Sequence, residues 1–312
     1  MSDAIRVGLV GFGYASKTFH APLIGGTPGM ALKAVASSDA DKVHADWPGV
    51  KVMSAPGDLL DDPDIDLVVI ATPNDTHFPL AKAALEAGKH VVVDKPFTVT
   101  LSQARELESL AKHCGRILSV FHNRRWDSDF LTVSALINEG QLGEVCYFES
   151  HFDRFRPQVR QRWREQAGPG SGIWYDLAPH LLDQVVVLFG LPVSITVDLA
   201  QLRPGAQSTD YFHAVLAYPQ RRVVLHGTLL AAAESARFIV HGSRASYIKY
   251  GLDPQEERLK NGERLPQEDW GYDMRDGTLT RAEGDERSQE KWLTLPGNYP
   301  AYYAAIRDAL NG

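Results

Sequence analysis

The sequence predicts an α/β protein with an N-terminal doubly wound parallel sheet and a C-terminal α+β domain that holds a large, mostly antiparallel sheet. Short apolar runs alternate with helical patterns as far as Asn123, which is typical of a parallel sheet covered by helices. From Val193 to Gly251 the pattern is instead that of β-hairpins. We therefore expect two domains, at residues 1–123 and 124–312.

Six apolar runs form the predicted parallel sheet. Strands buried on both faces read as nearly continuous apolar stretches, and these runs have that character. Helical patterns between them close at Gly88 and Gly115, where a left-handed C-cap is expected. The predicted strands are Ile5–Val10, Ala31–Ser37, Val50–Met53, Asp66–Ala71, His90–Asp94 and Arg116–Val120.

Composition excludes several classes of protein. A hydrophobic content of 44% over 312 residues is enough for packed cores, and we expect a cytoplasmic protein with no membrane segment or signal peptide. A net charge of -7 without a long basic run argues against a nucleic-acid partner. The two cysteines and eleven histidines lack metal-site spacing, so we expect no metal.

The segment GFGYAS follows the first strand and is a variant of the dinucleotide fingerprint. Gly11 permits the tight turn, Gly13 lets a pyrophosphate approach the backbone, and the following helix offers free N–H groups. Ser16 stands where the motif usually has a third glycine or an alanine. The motif is weak alone, but its place in an alternating sheet predicts a cofactor site that includes Gly11, Phe12, Gly13 and Tyr14.

The end of the second strand indicates which nicotinamide cofactor binds. NAD proteins place a carboxylate there for the ribose hydroxyl, and NADP proteins remove that charge. Here the position is Ser37, with Ser38 beside it and Lys42 a turn later. We predict NADP, with NAD less favoured; a shift of register would bring Asp39 near the ribose and reverse this.

The fourth and fifth strands end in further candidate residues. Ligands of doubly wound sheets bind at the carboxyl ends of the strands. This edge places Asp94 and Lys95 near the reactive end of a dinucleotide, although Lys95 could also be a solvated strand-end lysine. The fourth strand contributes predicted cofactor contacts, unless they form only a turn and helix cap: Thr72, Pro73, Asn74 and His77.

The segment WYDLAPHLLDQVVVLFG holds the remaining candidates for catalysis. Its apolar spacing predicts a helix from about Leu177 to Phe189, with Asp176 and His180 on one face near its start. Asp176 could be a simple N-cap and His180 a structural histidine. Oxidation of an alcohol without a metal requires a base, for which we favour His180, with Asp176 orienting it and Lys95 as the alternative base.

The segments GFGYAS, TPNDTH, DKPF and DLAPHLLD, in this order, resemble the glucose-fructose oxidoreductase, inositol dehydrogenase and rhizopine-catabolism (Gfo/Idh/MocA) family over the whole chain. Three further segments are similar to a bacterial subgroup that includes NADP-dependent scyllo-inositol dehydrogenases: SVFHNRRWDSDF, HFDRFRP and FIVHGSRASYIKYGLDPQEE. The resemblance implies a Rossmann domain, a second domain with an open sheet, Lys95 at the nicotinamide, and Asp176 and His180 in catalysis.

The resemblance also implies substrate contacts at Asn123 and, more weakly, at Trp163 and Tyr175. Asp94 stands where the family usually has glutamate, and the bond before Pro96 is expected to be cis. The nearby charged residues Arg124, Arg125 and Asp127 are interpreted as structural ion pairs. Family members continue past Gly312 into a further helix and strand, so apolar surface is expected where these would pack.

The leading interpretation is an NADP-dependent dehydrogenase of a polyol or sugar, such as scyllo-inositol or a related cyclic polyol. One alternative is a non-catalytic sensor of NADP or sugar, because the fold alone does not determine function. Another is an NADPH-dependent reductase of an aldose or other carbonyl compound. We expect a homodimer or homotetramer formed through the C-terminal sheet, because one face of such a sheet needs a cover.

Overall fold

The computed structural model describes residues 4–312 and divides into two compact units. The first unit contains the chain up to Asn123, Gln255–Trp270 and Tyr299–Gly312. The second contains Arg124–Pro254 and Gly271–Asn298. Two segments that the sequence predicted to belong to the second domain, Gln255–Trp270 and Tyr299–Gly312, pack with the first unit.

A six-stranded parallel sheet forms the core of the first unit as described here, in the order β3-β2-β1-β4-β5-β6. This doubly wound order confirms the predicted fold class. The strands are β1 (Ile5–Val10), β2 (Met30–Ala36), β3 (Lys51–Met53), β4 (Leu67–Ile70), β5 (His90–Val93) and β6 (Leu118–Val120). Each lies within a few residues of its predicted bounds, because fully apolar runs between polar turns are an unambiguous signal.

Five α-helices of this part of the chain connect the strands, with a π-helical turn at Ser16–His20 and a 3₁₀ turn at Asn74–Thr76. Gly88 and Gly115 both have positive φ just after a helix, as predicted. No described helix is long and apolar enough to cross a membrane. The helices are α1 (Ala21–Gly25), α2 (Ala40–Asp46), α3 (Pro56–Leu60), α4 (His77–Glu86) and α5 (Leu101–Cys114).

The second unit is built on an eight-stranded sheet in the order β14-β13-β12-β11-β7-β10-β9-β8. Its neighbouring strands are antiparallel except for β7 and β10, which confirms a mostly antiparallel sheet. The strands are β7 (Val145–His151), β8 (Ser194–Ala200), β9 (Tyr211–Ala217), β10 (Arg222–Thr228), β11 (Ala236–Gly242), β12 (Ala245–Tyr250), β13 (Gly277–Glu283) and β14 (Glu286–Trp292).

Two helices, α6 (Ser128–Asn138) and α7 (Gly172–Phe189), share a hydrophobic core with one face of this sheet. Phe148 and Phe212 are fully buried beneath them. Short 3₁₀ turns occur at Asn123–Trp126 and Trp163–Glu165. Helix α7 begins five residues before the predicted start, because Gly172 packs against the backbone of Thr209 and the Ile173 N–H donates to the Thr209 carbonyl.

Helices α8 (Gln255–Lys260) and α9 (Pro300–Asn311) belong to the first unit. The Gln255 side-chain oxygen accepts hydrogen bonds from the Trp270 indole and the Tyr299 backbone, both 2.7 Å long. Tyr302 contacts Ser119 at the end of the sheet. These contacts join segments far apart in sequence, so the chain order did not predict them.

Candidate active site

The loop after β1 has the geometry that a dinucleotide phosphate requires. Gly11 has a φ of 86°, and a Cβ there would lie 2.9 Å from Thr72 Cγ2. Gly13 is exposed, and a Cβ built on it meets no atom within 4 Å. The first glycine is therefore required by the turn itself, whereas the second leaves open space into which a ligand can come against the backbone.

Ser16, which replaces the glycine or alanine usual at the third position of the motif, stabilises this loop. Its buried hydroxyl donates a 2.8 Å hydrogen bond to the Gly11 carbonyl, and the Lys17 N–H donates to the Gly13 carbonyl. The helical segment beginning at Tyr14 thus starts beside Gly13, so its first N–H groups face the open space. Phe12 is buried and anchors the loop, and Tyr14 is exposed and donates to Glu256.

Three polar residues, Ser37, Ser38 and Asp39, lie between the end of β2 and the start of α2. Ser37 is half-buried and Ser38 exposed, and the Ser37 hydroxyl accepts from the Asp39 N–H at 3.2 Å. The Asp39 carboxylate accepts the Lys42 N–H at 3.0 Å and is the N-cap of α2. Asp39, the acidic residue that could have favoured NAD, is thus engaged in capping a helix.

A cleft of about 440 Å³ opens beside Gly13 within the first unit. Lys17 forms a 2.9 Å ion pair with Asp46 here, and the Arg264 guanidinium lies 5.1 Å from the Trp47 ring. Two cations of the cleft, Lys260 at the end of α8 and Arg264 shortly after it, were not predicted, because they are remote from the glycine loop in sequence. The basic side chains that line the cleft are Lys17, Lys42, Lys260 and Arg264.

His77 links the ends of β4 and β5. It is buried, with Nδ1 2.8 Å from the Pro96 carbonyl oxygen and Nε2 2.9 Å from the Thr72 carbonyl oxygen. Both ring nitrogens therefore face backbone oxygens, so His77 joins the loops that follow β4 and β5; its predicted contact with the cofactor stays a prediction. Asn74 is also buried, and Pro73 is exposed. The Lys95–Pro96 bond is cis, as the resemblance implied.

Asp94 and Lys95 follow β5, and Asp94 is held from several sides. Its carboxylate accepts the Lys95 N–H at 2.8 Å, and its own N–H donates to the Ile70 carbonyl. His20 Nε2 lies 3.9 Å away, too far for a hydrogen bond but close enough for an electrostatic interaction. Burial opposes ionisation, yet His20 and Lys95 lower the pKa of Asp94 below its ordinary value.

A residue from α9 completes this network. The Tyr303 hydroxyl lies 2.6 Å from His20 Nδ1, and burial raises the pKa of Tyr303. The chain of contacts therefore runs from Tyr303 through His20 to Asp94, which precedes Lys95. Sequence reasoning missed both His20 and Tyr303, since only tertiary packing brings them beside the fifth strand.

In the second unit, α7 carries Asp176 and His180 one turn apart on the same face. Asp176 lies inside the helix, not at its N-cap, which is Ser171. Its carboxylate faces arginines, at 3.6 Å from Arg164 and 4.0 Å from Arg154. His180 is buried.

The loop between β7 and α7 is rich in arginine and is anchored by Arg203. Arg203 is buried and binds Asp210, Glu165 and the carbonyl oxygens of Arg156 and Gln158. Desolvation and the neighbouring arginines lower the pKa of Arg156 to about 10. The buried Arg203 therefore fixes the loop that contains Arg156, Gln158 and Glu165.

The remaining predicted residues are distributed over both units. Asn123 is buried at the end of the first unit, Tyr175 is half-buried on α7, and Trp163 is exposed with Arg164 stacked 4.6 Å from its ring. The predicted structural ion pairs are confirmed: Arg124 binds Asp127 at 3.2 Å, and Arg125 binds Asp183 at 2.7 Å.

A doubly wound sheet with an open glycine loop after β1 defines a nucleotide-binding α/β protein of the Rossmann class. Residues 5–122 match the Gfo/Idh/MocA model described as "Oxidoreductase family, NAD-binding Rossmann fold", and residues 134–312 match its "C-terminal alpha/beta domain". The chain therefore belongs to the Gfo/Idh/MocA family of oxidoreductases.

Similarity to individual oxidoreductases supports this family assignment. The chain is 82% identical to the uncharacterized oxidoreductase YdgJ of Escherichia coli, covering 100% of this chain and 90% of that protein. It is 36% identical to the scyllo-inositol 2-dehydrogenase (NADP(+)) IolW of Bacillus subtilis, covering 99% and 87%. A solved oxidoreductase structure from Yersinia pestis superposes with a TM-score of 0.96 at 69% identity, covering 100% and 88%.

Proposed function

We propose that the protein transfers hydride between NADP(H) and a secondary alcohol or ketone of a polyol or sugar, with scyllo-inositol or a related cyclic polyol as the leading substrate. The observation that carries this is the match over nearly the whole chain to a Bacillus subtilis relative named as an NADP-dependent scyllo-inositol 2-dehydrogenase. When bound, the nicotinamide ring accepts or donates the hydride.

Two features support NADP over NAD. Ser37 and Ser38 follow β2 at the position where NAD-binding proteins carry a carboxylate. Such a carboxylate would repel the extra phosphate of NADP, and the serines do not. The nearest acid, Asp39, already accepts the Lys42 N–H in its capping role. Lys42 also lines the cleft beside Gly13, where its positive charge favours an additional phosphate.

A side chain accepts the proton of the substrate hydroxyl in the proposed reaction. We assign His180 as the general base and Asp176, on the same face of α7, as the group that stabilises the charged imidazole. Lys95 donates a hydrogen bond to the same oxygen and stabilises negative charge as the alkoxide develops. The Asp94 carboxylate supports this role, because it holds the backbone of Lys95 in place.

Substitution of the two catalytic candidates tests these roles. Lys95→Ala and His180→Ala should each lower turnover by about two to four orders of magnitude, as expected for acid–base groups, with NADPH affinity nearly unchanged. Lys82→Ala and His241→Ala are matched controls, because Lys82 pairs with Glu106 at the surface and His241 contacts Ser246. Near-normal turnover of either catalytic variant contradicts its role.

The substrate is tested by a panel of cyclic polyols, aldoses and their keto forms with NADP⁺ and NADPH. Reduction of NADP⁺ by scyllo-inositol, or oxidation of NADPH by its ketone, is the expected result. Tight NADPH binding without turnover on any member of the panel would favour a sensor instead.

We also propose that the protein self-associates through the open face of the eight-stranded sheet. Side chains of β7 that alternate with the buried Phe148, such as Tyr147 and Glu149, lie on the face opposite α6 and α7. This face is only half-buried within the second unit. Light scattering should give the mass of two or four chains, and a single-chain mass at micromolar concentration contradicts the proposal.

A further inference from the structure

A compact group of side chains on the open face of the eight-stranded sheet is not used by the proposed reaction. His151 ends β7, Asp153 follows two residues later, and His226 lies on β10, where it pairs in register with His151. The neighbouring parallel strands therefore bring two imidazoles and one carboxylate to one place on the same face.

The potential metal-ligand atoms of this group lie close enough together to hold one ion. Asp153 lies 3.1 Å from His151 Nδ1 through one oxygen and 2.9 Å from His226 Nδ1 through the other. One donor atom from each residue lies within 4.8 Å of both of the others. Tetrahedral ligands about 2.1 Å from zinc are about 3.4 Å apart, so small side-chain adjustments suffice.

Neighbouring groups fix the orientation of His151 and Asp153. Glu149 accepts from His151 Nε2 at 2.6 Å, which leaves Nδ1 directed at Asp153, and Tyr147 in turn donates to Glu149. The Thr228 N–H donates to Asp153 at 3.2 Å. A carboxylate on the second nitrogen of a ligating histidine is the usual support of protein metal sites, because it fixes the ring and its tautomer.

The charge of the group also favours a cation. Glu149 and Asp153 are both carboxylates, and among the described residues their ion pairs are with histidines only. In the same unit, by contrast, Asp129 faces Arg237 and Asp273 faces Lys249. With neutral imidazoles the group carries two negative charges, which one divalent ion balances.

We propose that His151, Asp153 and His226 form a binding site for a divalent transition-metal ion, best suited to Zn²⁺, with Glu149 orienting His151. Two imidazole nitrogens and a carboxylate oxygen are ligands that zinc prefers, and a water molecule completes four-coordination. The sequence predicted no metal, because neither its cysteines nor its histidines have metal-ligand spacing. The site requires the pairing of β7 with β10, which the sequence does not reveal.

Zinc titration of the tag-free, metal-stripped full chain tests the proposal. We expect one Zn²⁺ per chain in calorimetry, and a loss of at least about tenfold in affinity for Asp153→Asn and His226→Ala. His241→Ala is the matched control on the same sheet and should keep the wild-type affinity. Circular dichroism without metal verifies that each variant is folded, and His151→Gln replaces any variant that is not.

Cobalt supplies a spectroscopic readout that a nonspecific surface site would not give. Co²⁺ bound by the wild-type chain should show the intense visible absorption of tetrahedral coordination, and Asp153→Asn should abolish it. Glu149→Gln should keep one ion per chain but weaken binding about 10- to 100-fold, since it changes only the support of His151. Wild-type protein that binds no Zn²⁺, or ligand variants that bind like wild type, would overturn the proposal.

Discussion

Alanine at Gly13 separates the binding role of the glycine loop from its structural role. A Cβ at Gly13 meets no protein atom within 4 Å, and the backbone conformation there is one that alanine adopts without strain. Gly13→Ala should therefore change the free energy of unfolding by less than about 0.5 kcal/mol. The added methyl group instead occupies the space through which the pyrophosphate reaches the backbone.

Alanine at Gly11 should have a different effect. The φ of 86° costs an L-residue about 1–2 kcal/mol, and the new Cβ would lie 2.9 Å from Thr72 Cγ2 and 3.1 Å from the Ala71 carbonyl oxygen. We expect a loss of about 2 kcal/mol or more in the free energy of unfolding. Gly11→Ala thus weakens the fold itself, whereas Gly13→Ala affects only the bound state.

The assay combines urea unfolding without cofactor with titration of NADPH by protein fluorescence. Gly13→Ala should weaken NADPH binding at least tenfold, which corresponds to about 1.4 kcal/mol, at unchanged stability. Gly57→Ala is the control, because this exposed position in α3 also has no atom within 4 Å of a built Cβ. Wild-type NADPH affinity in Gly13→Ala would refute the assignment of the loop to the cofactor.

Three further predictions concern the supporting residues. Tyr303→Phe removes the hydroxyl beside His20 and should lower the free energy of unfolding by about 1–3 kcal/mol in urea titrations; an unchanged value contradicts the network. Ser37→Asp should shift the NADP/NAD ratio of kcat/KM at least about tenfold toward NAD, because the new carboxylate repels the 2′-phosphate. Glu165→Gln should be destabilising at neutral pH by about 2–3 kcal/mol, since buried Arg203 loses a charge partner. Burial opposes ionisation of Glu165, but the Arg160 N–H and Arg162 lower its pKa, so its contribution is present above the ordinary value of 4.5 and is lost as pH falls through the lowered value. Unfolding measurements should therefore find that wild type and Glu165→Gln converge in acid; a constant difference contradicts this interpretation.

The sequence alone determined the parallel sheet of the first unit and the class of protein. Continuous apolar runs and helical periodicity are local signals, so the strands from Ile5 to Val120 were predicted within a few residues. The glycine loop is local too, because Gly11 and Gly13 belong to one turn. The family resemblance rested on four short segments, and the matches over residues 5–122 and 134–312 confirm it.

Only the tertiary structure decided which distant segments meet. The return of α8 and α9 to the first unit, the contact of Tyr303 with His20, and the early start of α7 at Gly172 depend on packing between residues far apart in sequence. The pairing of His226 with His151 is of the same kind, since strand register is a property of the folded sheet. Local sequence patterns do not predict such contacts, because they form only when the folded chain brings distant segments together.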